Sequence, residues 1–543
     1  MLRDVQQLTA RTFDLLVVGG GIYGLAIARD AAMRGLSVAL VEADDFGSGS
    51  SFNHLRTIHG GLRYLQTLDL ARARESIGER RALARMAPQS VRPLAFALPL
   101  YRSLTRGRLA MRAGFLLDRL LASGRNNDVA PSLRLPSGRV VSRSEAIQRF
   151  PGMRRQGLTG AAVYFDYITT ESDRLTFAWA TAAVGAGAAL ANHVEGVALM
   201  VENRRVTGLR ATDRVTGLDL EIGARLTVNA TGAAVDRLLS PLGITARVPL
   251  LKVMNLVTSR EAGEEAIGGR SRSGRHLFLV PWRGRALFGT WESGRVSAPD
   301  DTEVTGPEVS DFIRELNEAF PALDLRVDDI TMIHRGLVPA AVDARGGVSL
   351  EGHERIRDHA SEGIEGLMSI AGTKYTTARS VAERVTSRVL EKLRLPAVPC
   401  RTIEPLPGGA MDDPLATIAA ARAEYDALLP SDSLPHLVAS YGTEFGKVIA
   451  IARDRLEWLS KVADLSPVIG AELVWAARHE MAATLTDAVA RRTPLGVLGY
   501  PGDSAVERAA ALVGTELGWP TDRRRLEIDR LRAFYGTLNA WKA

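Results

Sequence analysis

FDLLVVGGGIYGLAIARDAAMRGLSVALVEADD, residues 13–45, decides how the rest of the chain is read. An apolar run, a glycine turn, a stretch with helical spacing and a second apolar run ending in an acid make a β-α-β unit. Gly19, Gly21 and Gly24 fill the GxGxxG positions. One makes the tight turn, one lets the backbone approach a pyrophosphate, and one allows close helix-to-strand packing, with the helix N-terminus facing the phosphates. Glu42 closes the second strand, placed to accept a hydrogen bond from a ribose hydroxyl. Its carboxylate would repel a 2′-phosphate, which disfavours NADP against NAD or FAD. The near match VGAGAAL, residues 184–190, has Leu190 at the third glycine position and reads as a helix C-terminal turn. One dinucleotide site in so long a chain points to a tightly held FAD that takes electrons directly from a substrate.

The chain of 543 residues is too long for one hydrophobic core, and its 46% apolar and 24% charged residues are those of a folded globular protein. The lone cysteine, Cys400, excludes an internal disulfide, a CxxC pair and a cysteine metal cage, which fits a reducing compartment. None of the histidines shows metal-ligand spacing, so no metal is expected. Residues 1–12 carry charges and no apolar h-region, which predicts cytosolic exposure. Leu175 to Asn192 is too weakly hydrophobic to span a membrane and reads as a buried packing helix. A net charge of +6 favours anionic partners, and with no basic tail or nucleic-acid motif these are metabolites or a membrane surface rather than nucleic acid.

Strands alternate with glycine turns at 226–232, 275–291 and 366–377, the middle one a β-hairpin turning at Gly284. Five prolines and the Gly408–Gly409 pair mark a linker, after which Ala and Leu recur at helical spacing. The expected organisation is an extension at 1–12, an oxidoreductase region at 13–395, a linker at 396–414 and a separate α-helical domain at 415–543.

SGSSFNHLRTIHGGLRYLQ, residues 48–66, makes the reading specific: it closely resembles the FAD-dependent glycerol-3-phosphate dehydrogenases through the HGGLRYL block at 59–65. ARDAAMRGLSV (28–38), ESDRL (171–175), VNATG (228–232), IRDH (356–359), GTKYTTAR (372–379) and HEMAATLTDAVARRT (479–493) extend the match over nearly the whole chain. The resemblance implies an α/β fold, in which an FAD-binding Rossmann-like domain is interleaved with an antiparallel substrate-binding sheet and followed by a C-terminal helical cap. It implies oxidation of sn-glycerol 3-phosphate to dihydroxyacetone phosphate, with electrons passed to a membrane quinone by a protein peripheral on the inner face of the cytoplasmic membrane. A homodimer stays open. Carried over by position, Arg63, Tyr64, Arg357 and Lys374 match the family's substrate site. Flavin-binding positions fall at Ser50, Ser51, His59, Gly60, Val194, Ala230, Gly232, Gly372, Lys374, Tyr375 and Thr376, beside the fingerprint glycines and Glu42.

This sequence departs from the family at three places. Asn255 stands where the family has a histidine, removing a proton acceptor, and Val338 stands where it has an arginine, removing a phosphate cation. Asn53, His54, Leu55 and Arg56 replace a serine-rich run ending in lysine. His334 and Arg335 are candidates for a substitute base and cation, although strand register would send them to opposite faces. The departures keep other readings open: a drifted substrate (another polyol, a hydroxy acid or an amine, the last with oxygen as acceptor), or a flavin-retaining pseudoenzyme scaffold. From Tyr101 to Arg125, six arginines interleave with leucines. Such a basic amphipathic stretch suits an anionic membrane interface or, equally, a helix packed on the core with its arginines in solvent.

Overall fold

Phe13–Val18 and Val38–Val41 are parallel neighbours, Leu15 opposite Val38 and Val18 opposite Val41, and Ile22–Met33 is the crossover helix between them. This computed structural model describes residues 1–61, 64, 69–103, 107–150 and 152–542. A β-carbon on Gly24 would overlap the carbonyl oxygen of Gly19, which is why the helix can lie so close to the strand. Gly19 itself has φ +109°, a conformation that L side chains rarely adopt.

Parallel strands extend this sheet on both sides. Asp219–Asn229 pairs with Phe13–Val18, Leu367–Ala371 pairs with Asp219–Asn229, and Ala189–Ala191 pairs with Val38–Val41. Strand order therefore reverses at Phe13–Val18, and such a reversal opens a crevice at the carboxyl ends of the strands. Three adjacent strands end on that edge and run directly into turns at residues 19–21, 230–232 and 372–374. Leu25, Leu40, Trp179, Val228 and Val381 belong to the core beneath. Trp179 lies on the buried helix Ser172–Gly185, which ends at Ala186 before Gly187 with φ +96°, the helix end expected at VGAGAAL.

The second sheet is antiparallel except where Ala266–Arg270 runs parallel to Val91–Tyr101. Its order passes from Ile330–Val342 through Leu250–Glu261, Arg285–Glu292, His276–Trp282, Ala266–Arg270 and Val91–Tyr101 to Leu158–Thr169. Arg283 and Gly284, both at positive φ, make the hairpin turn between Trp282 and its partner Arg285.

Residues beyond 413 are helical, from Pro414–Tyr425 to Thr521–Leu538. Part of this segment has a core of its own around Leu437, Val448 and Ile469. The remainder shares one with the large sheet, where Val489, Val506 and Leu531 pack with Phe96, Ile168 and Trp282. The helical segment therefore packs directly on the sheet through part of its core and keeps a core of its own in the rest. Buried ion pairs tighten the joint: Arg174 with Glu480 at 2.6 Å, and Arg492 with Asp45 at 2.5 Å.

Candidate active site

The three turns and the large sheet enclose a cavity of about 450 Å3. Gly21, Ser51, Ala230, Gly232, Gly372 and Thr376 line it from the parallel sheet; Phe96, Tyr164, Asn255, Phe278 and Val338 face them from the large sheet. Gly21 is the N-cap of Ile22–Met33, and a β-carbon there would meet only the Ser51 hydroxyl, at 3.3 Å. Its backbone is thus open to the cavity, while Ser51 Oγ accepts the Ile22 amide at 2.9 Å. Gly372 has no such freedom, because a β-carbon would stand 2.6 Å from the Tyr23 hydroxyl. That hydroxyl donates to the Lys374 carbonyl at 3.0 Å and accepts the Lys374 amide at 3.2 Å, so the helix start and the 372–374 turn are clamped together. Burial pushes the Tyr23 pKa up and keeps it a phenol.

Asn53, His54 and Thr376 line the cavity, and Asn53 Oδ1, His54 Nε2 and Thr376 Oγ1 are buried with no partner in the protein. Polar atoms so placed need a ligand or water to repay their desolvation. His54 is the clearest case. Burial, helped by the Arg56 guanidinium, pushes its pKa down to about 3, and its Nδ1 accepts the Arg56 amide at 3.1 Å. The neutral ring therefore carries its proton on Nε2 and offers a donor at the wall. It stacks on Tyr375, 4.9 Å between centroids. Charge enters elsewhere: Lys374 Nζ lies 4.7 Å and Arg72 Cζ 4.3 Å from the centre of the Tyr64 ring, and all three residues line the cavity.

The family described as FAD dependent oxidoreductase matches residues 14–388, and that described as the C-terminal domain of alpha-glycerophosphate oxidase matches residues 400–524. The glycerol-3-phosphate dehydrogenase of Synechocystis is 31% identical over 98% of both chains. The chain is an FAD-dependent oxidoreductase of the glycerol-3-phosphate dehydrogenase family. The mitochondrial glycerol-3-phosphate dehydrogenase of Mesocricetus auratus is 32% identical to this family member over 98% of its chain and 75% of the relative's own. The solved structure of the glycerol-3-phosphate dehydrogenase from Bacillus halodurans, complexed with FAD, superposes with a TM-score of 0.76 over 98% of this chain and 96% of that one. At 24% identity, that likeness speaks to the fold.

The residues present fit FAD. Gly21 leaves the room a pyrophosphate needs at a helix N-terminus, and the unpartnered atoms of Asn53, His54 and Thr376 suit a large polar cofactor. Of the sequence-derived positions in this flavoenzyme, Ser50, Ser51, His59, Tyr64, Ala230, Gly232, Gly372, Lys374, Tyr375 and Thr376 line the cavity together with Gly21. Arg63 lies outside the described residues. Gly19, Gly24, Gly60 and Val194 act from behind the wall. The Gly60 amide donates to Asp166 Oδ1 at 2.7 Å, and the Val194 amide donates to the Glu42 carbonyl at 2.7 Å. Glu42 sits beside the fingerprint, where its carboxylate accepts the amides of Gly20 at 2.6 Å and Asp44 at 2.9 Å.

Three expectations need correction. Arg357 is absent from the cavity wall, since its guanidinium pairs with Glu362 at 2.7 Å beside His359. His334 is fully buried between Phe52 and Trp282, with ring centroids 4.9 and 5.8 Å away, and does not line the cavity. Burial and the nearby Arg56 push its pKa well down, and the ring is placed neither on the cavity wall nor at the surface. Arg335 points the other way and donates to the Thr537 carbonyl at 3.2 Å. The departures themselves are in place: Asn255 and Val338 both line the cavity. Asn255 donates to the Asn53 carbonyl at 3.2 Å and accepts from Thr290 at 3.0 Å, tying the altered loop to the large sheet.

Sequence reading missed Arg72, Tyr23 and Glu292, because nothing in their spacing separates them from ordinary helix and strand residues. It also gave no sign that Asp45, His193 and Asp487 gather at the joint, with side-chain ligand atoms within 4.8 Å of one another. Their polar atoms are already engaged: Arg492 and Asn192 hold Asp45, while Asp487 accepts from His193 and from the amides of Ala483 and Thr484.

Proposed function

We propose that this flavoenzyme oxidises sn-glycerol 3-phosphate to dihydroxyacetone phosphate and passes the electrons to a membrane quinone. The supporting observation is that the Lys374 ammonium and the dinucleotide turn at 372–376 share one cavity wall, in a chain whose full-length relatives carry the name of that activity. FAD, when bound along Gly21, Ser51, Ala230, Gly232 and Thr376, supplies the hydride acceptor. Lys374 attracts an anionic alcohol, and Phe96, Tyr164 and Phe278 exclude water from the wall opposite. The carbinol hydroxyl must also lose a proton. Among the described residues, Glu292, His276 and His59 line the cavity and can accept it, whereas the amide of Asn255 cannot. The Nε2–H of His54 serves as a donor.

Anaerobic mixing with glycerol 3-phosphate tests this directly. The flavin absorption band is expected to bleach on addition of the substrate. Bleaching by amines alone would replace the proposal with an amine oxidation, and bleaching by uncharged polyols alone would remove the phosphate from it.

Delivery to a quinone implies contact with a membrane, and the helix Arg108–Leu121 supports one. Met111 and Phe115 are buried against Leu100 and Ala162, while Leu109, Leu116 and Leu120 are 80%, 63% and 68% exposed. Their i, i+7, i+11 spacing puts the three leucines on one stripe, flanked by Arg112 and Arg119, both exposed. No helix among the described residues is long and apolar enough to cross a membrane, and the contact proposed is a peripheral one. Replacing the three leucines with serine should lower partitioning onto phosphatidylglycerol vesicles at least about tenfold, given roughly 1.5–3 kcal/mol for each fully buried leucine. Turnover with a soluble dye acceptor should be unaffected. Equal vesicle binding by the triple variant would dismiss this helix as the contact.

A further inference from the structure

Val338 packs against Leu350 in a small apolar cluster with Leu251, Val253 and Ala340, so it brings no cation to the cavity wall. Two residues beyond Leu350, Gly352 also lines the cavity, and there a guanidinium arrives from another element: a β-carbon on Gly352 would stand 2.7 Å from Arg72 Nη1. We propose that Arg72 is a specificity-determining residue, the cation that joins Lys374 in holding the substrate's phosphate where Val338 supplies none. The inference rests on the phosphorylated-substrate reading above.

Arg72 is in the first turn of the helix Leu70–Met86, which is fixed by its N-cap: Asp69 Oδ1 accepts the Arg72 amide at 3.1 Å. Its guanidinium lies over the Tyr64 ring that also carries the Lys374 ammonium, so one aromatic platform orients both charges. Ser76 links the two residues, accepting from Lys374 Nζ and donating to the Arg72 carbonyl at 2.7 Å. Among the described residues, no carboxylate ion-pairs with Arg72. Glu351, which adjoins Gly352 on the cavity wall, is already taken by Arg355 at 2.5 Å and by the Gly352 amide at 2.7 Å. A planar guanidinium and an ammonium converging on one ring, with no acid to neutralise the guanidinium, suit a phosphate better than an uncharged polyol.

The test uses the FAD-loaded protein in wild-type, Arg72→Met and Arg72→Lys forms. Calorimetric titration with inorganic phosphate should show binding weakened roughly 10- to 100-fold in Arg72→Met and partly restored in Arg72→Lys, the factor expected for one charge-assisted hydrogen bond. The ratio of kcat/KM for glycerol 3-phosphate to that for glycerol should fall by a similar factor, mainly through KM. Equal phosphate affinity in wild type and Arg72→Met overturns the inference whatever the turnover shows. Loss of FAD from Arg72→Met would assign the residue to the cofactor instead and overturn it equally. Arg72-dependent phosphate binding in a wild type that does not turn over glycerol 3-phosphate would keep the anion site and defeat the functional reading alone.

Discussion

Gly24→Ala is expected to yield protein without FAD and with a markedly lowered unfolding midpoint, a larger effect than Gly21→Ala should have. The added methyl at position 24 would overlap the Gly19 carbonyl oxygen, a backbone atom that no side-chain rotation can move aside. Gly19 cannot retreat either. Its φ of +109° is already a conformation held for glycine, and its other neighbour is the Ala230 carbonyl, 2.6 Å from where its own β-carbon would be. The helix Ile22–Met33 must therefore lift from the strand. Leu25, Ile27 and Ala31 leave the core with it, at or beyond the top of the roughly 1–3 kcal/mol that overpacking usually costs. At Gly21, by contrast, a methyl meets only the Ser51 hydroxyl at 3.3 Å, so Gly21→Ala should fold and lose only part of its FAD, whereas Gly21→Val should fold and lose nearly all. FAD per chain from the visible spectrum, set against urea midpoints for the three variants, separates these outcomes. Gly24→Ala retaining wild-type FAD and midpoint would show that the helix has slack that the packing denies.

Local pattern carries most of what could be read in advance. The β-α-β unit, the hairpin at Gly284 and the cavity-lining turns are all sequence-local, since each is a run of neighbours whose conformation their own types dictate, whereas the buried helix read over 175–192 ends at Gly185 and gives way to the strand Ala189–Ala191. The positions of Asn255 and Val338 on the cavity wall were legible for the same reason, as departures within an otherwise matching strand. What failed depended on where a side chain points. Arg357 is a neighbour of the site in sequence pattern, yet Glu362, five residues on, captures it. His334 faces Asn255 across a strand pair, but its ring is enclosed by Phe52 and Trp282, two residues distant in the chain from each other. Arg72 lay hidden in LARARESIGER, where three arginines look alike until one finds a glycine to rest on and a tyrosine to stack against. Motifs were visible before their purpose was. ESDRL and HEMAATLTDAVARRT match the family, and the structure shows them binding each other: Arg174 with Glu480 and, more loosely, Asp173 with Arg491 at 3.6 Å.

The same joint gives the other large expected effect. Asp45→Asn should destabilise the protein by about 3–5 kcal/mol, the usual consequence of removing one partner of a buried ion pair. Asp45 accepts two hydrogen bonds from Arg492, at 2.5 and 2.7 Å, and a third from Asn192 at 2.8 Å, with both charged side chains almost wholly buried. The arginine is pinned in place by further contacts, Nε to the Glu480 carbonyl at 2.8 Å and the guanidinium face over Phe177 at 4.1 Å, so it cannot swing into solvent once its carboxylate is gone. Asp487 is the nearest replacement, but His193 at 2.9 Å and two backbone amides already draw on it. Asp45 also begins the loop that carries Ser50 and Ser51 to the cavity, so loosening the joint should raise the rate of FAD loss as well as lower the unfolding midpoint. The double variant Asp45→Asn, Arg492→Met distinguishes this account from a general defect. Replacing the stranded guanidinium with an apolar chain of similar length removes the uncompensated charge and should recover most of the stability, a strongly non-additive cycle. A single variant as stable as wild type, or a double variant no better than the single, would mean that the helical segment is held by its shared apolar core and that the ion pair contributes nothing measurable.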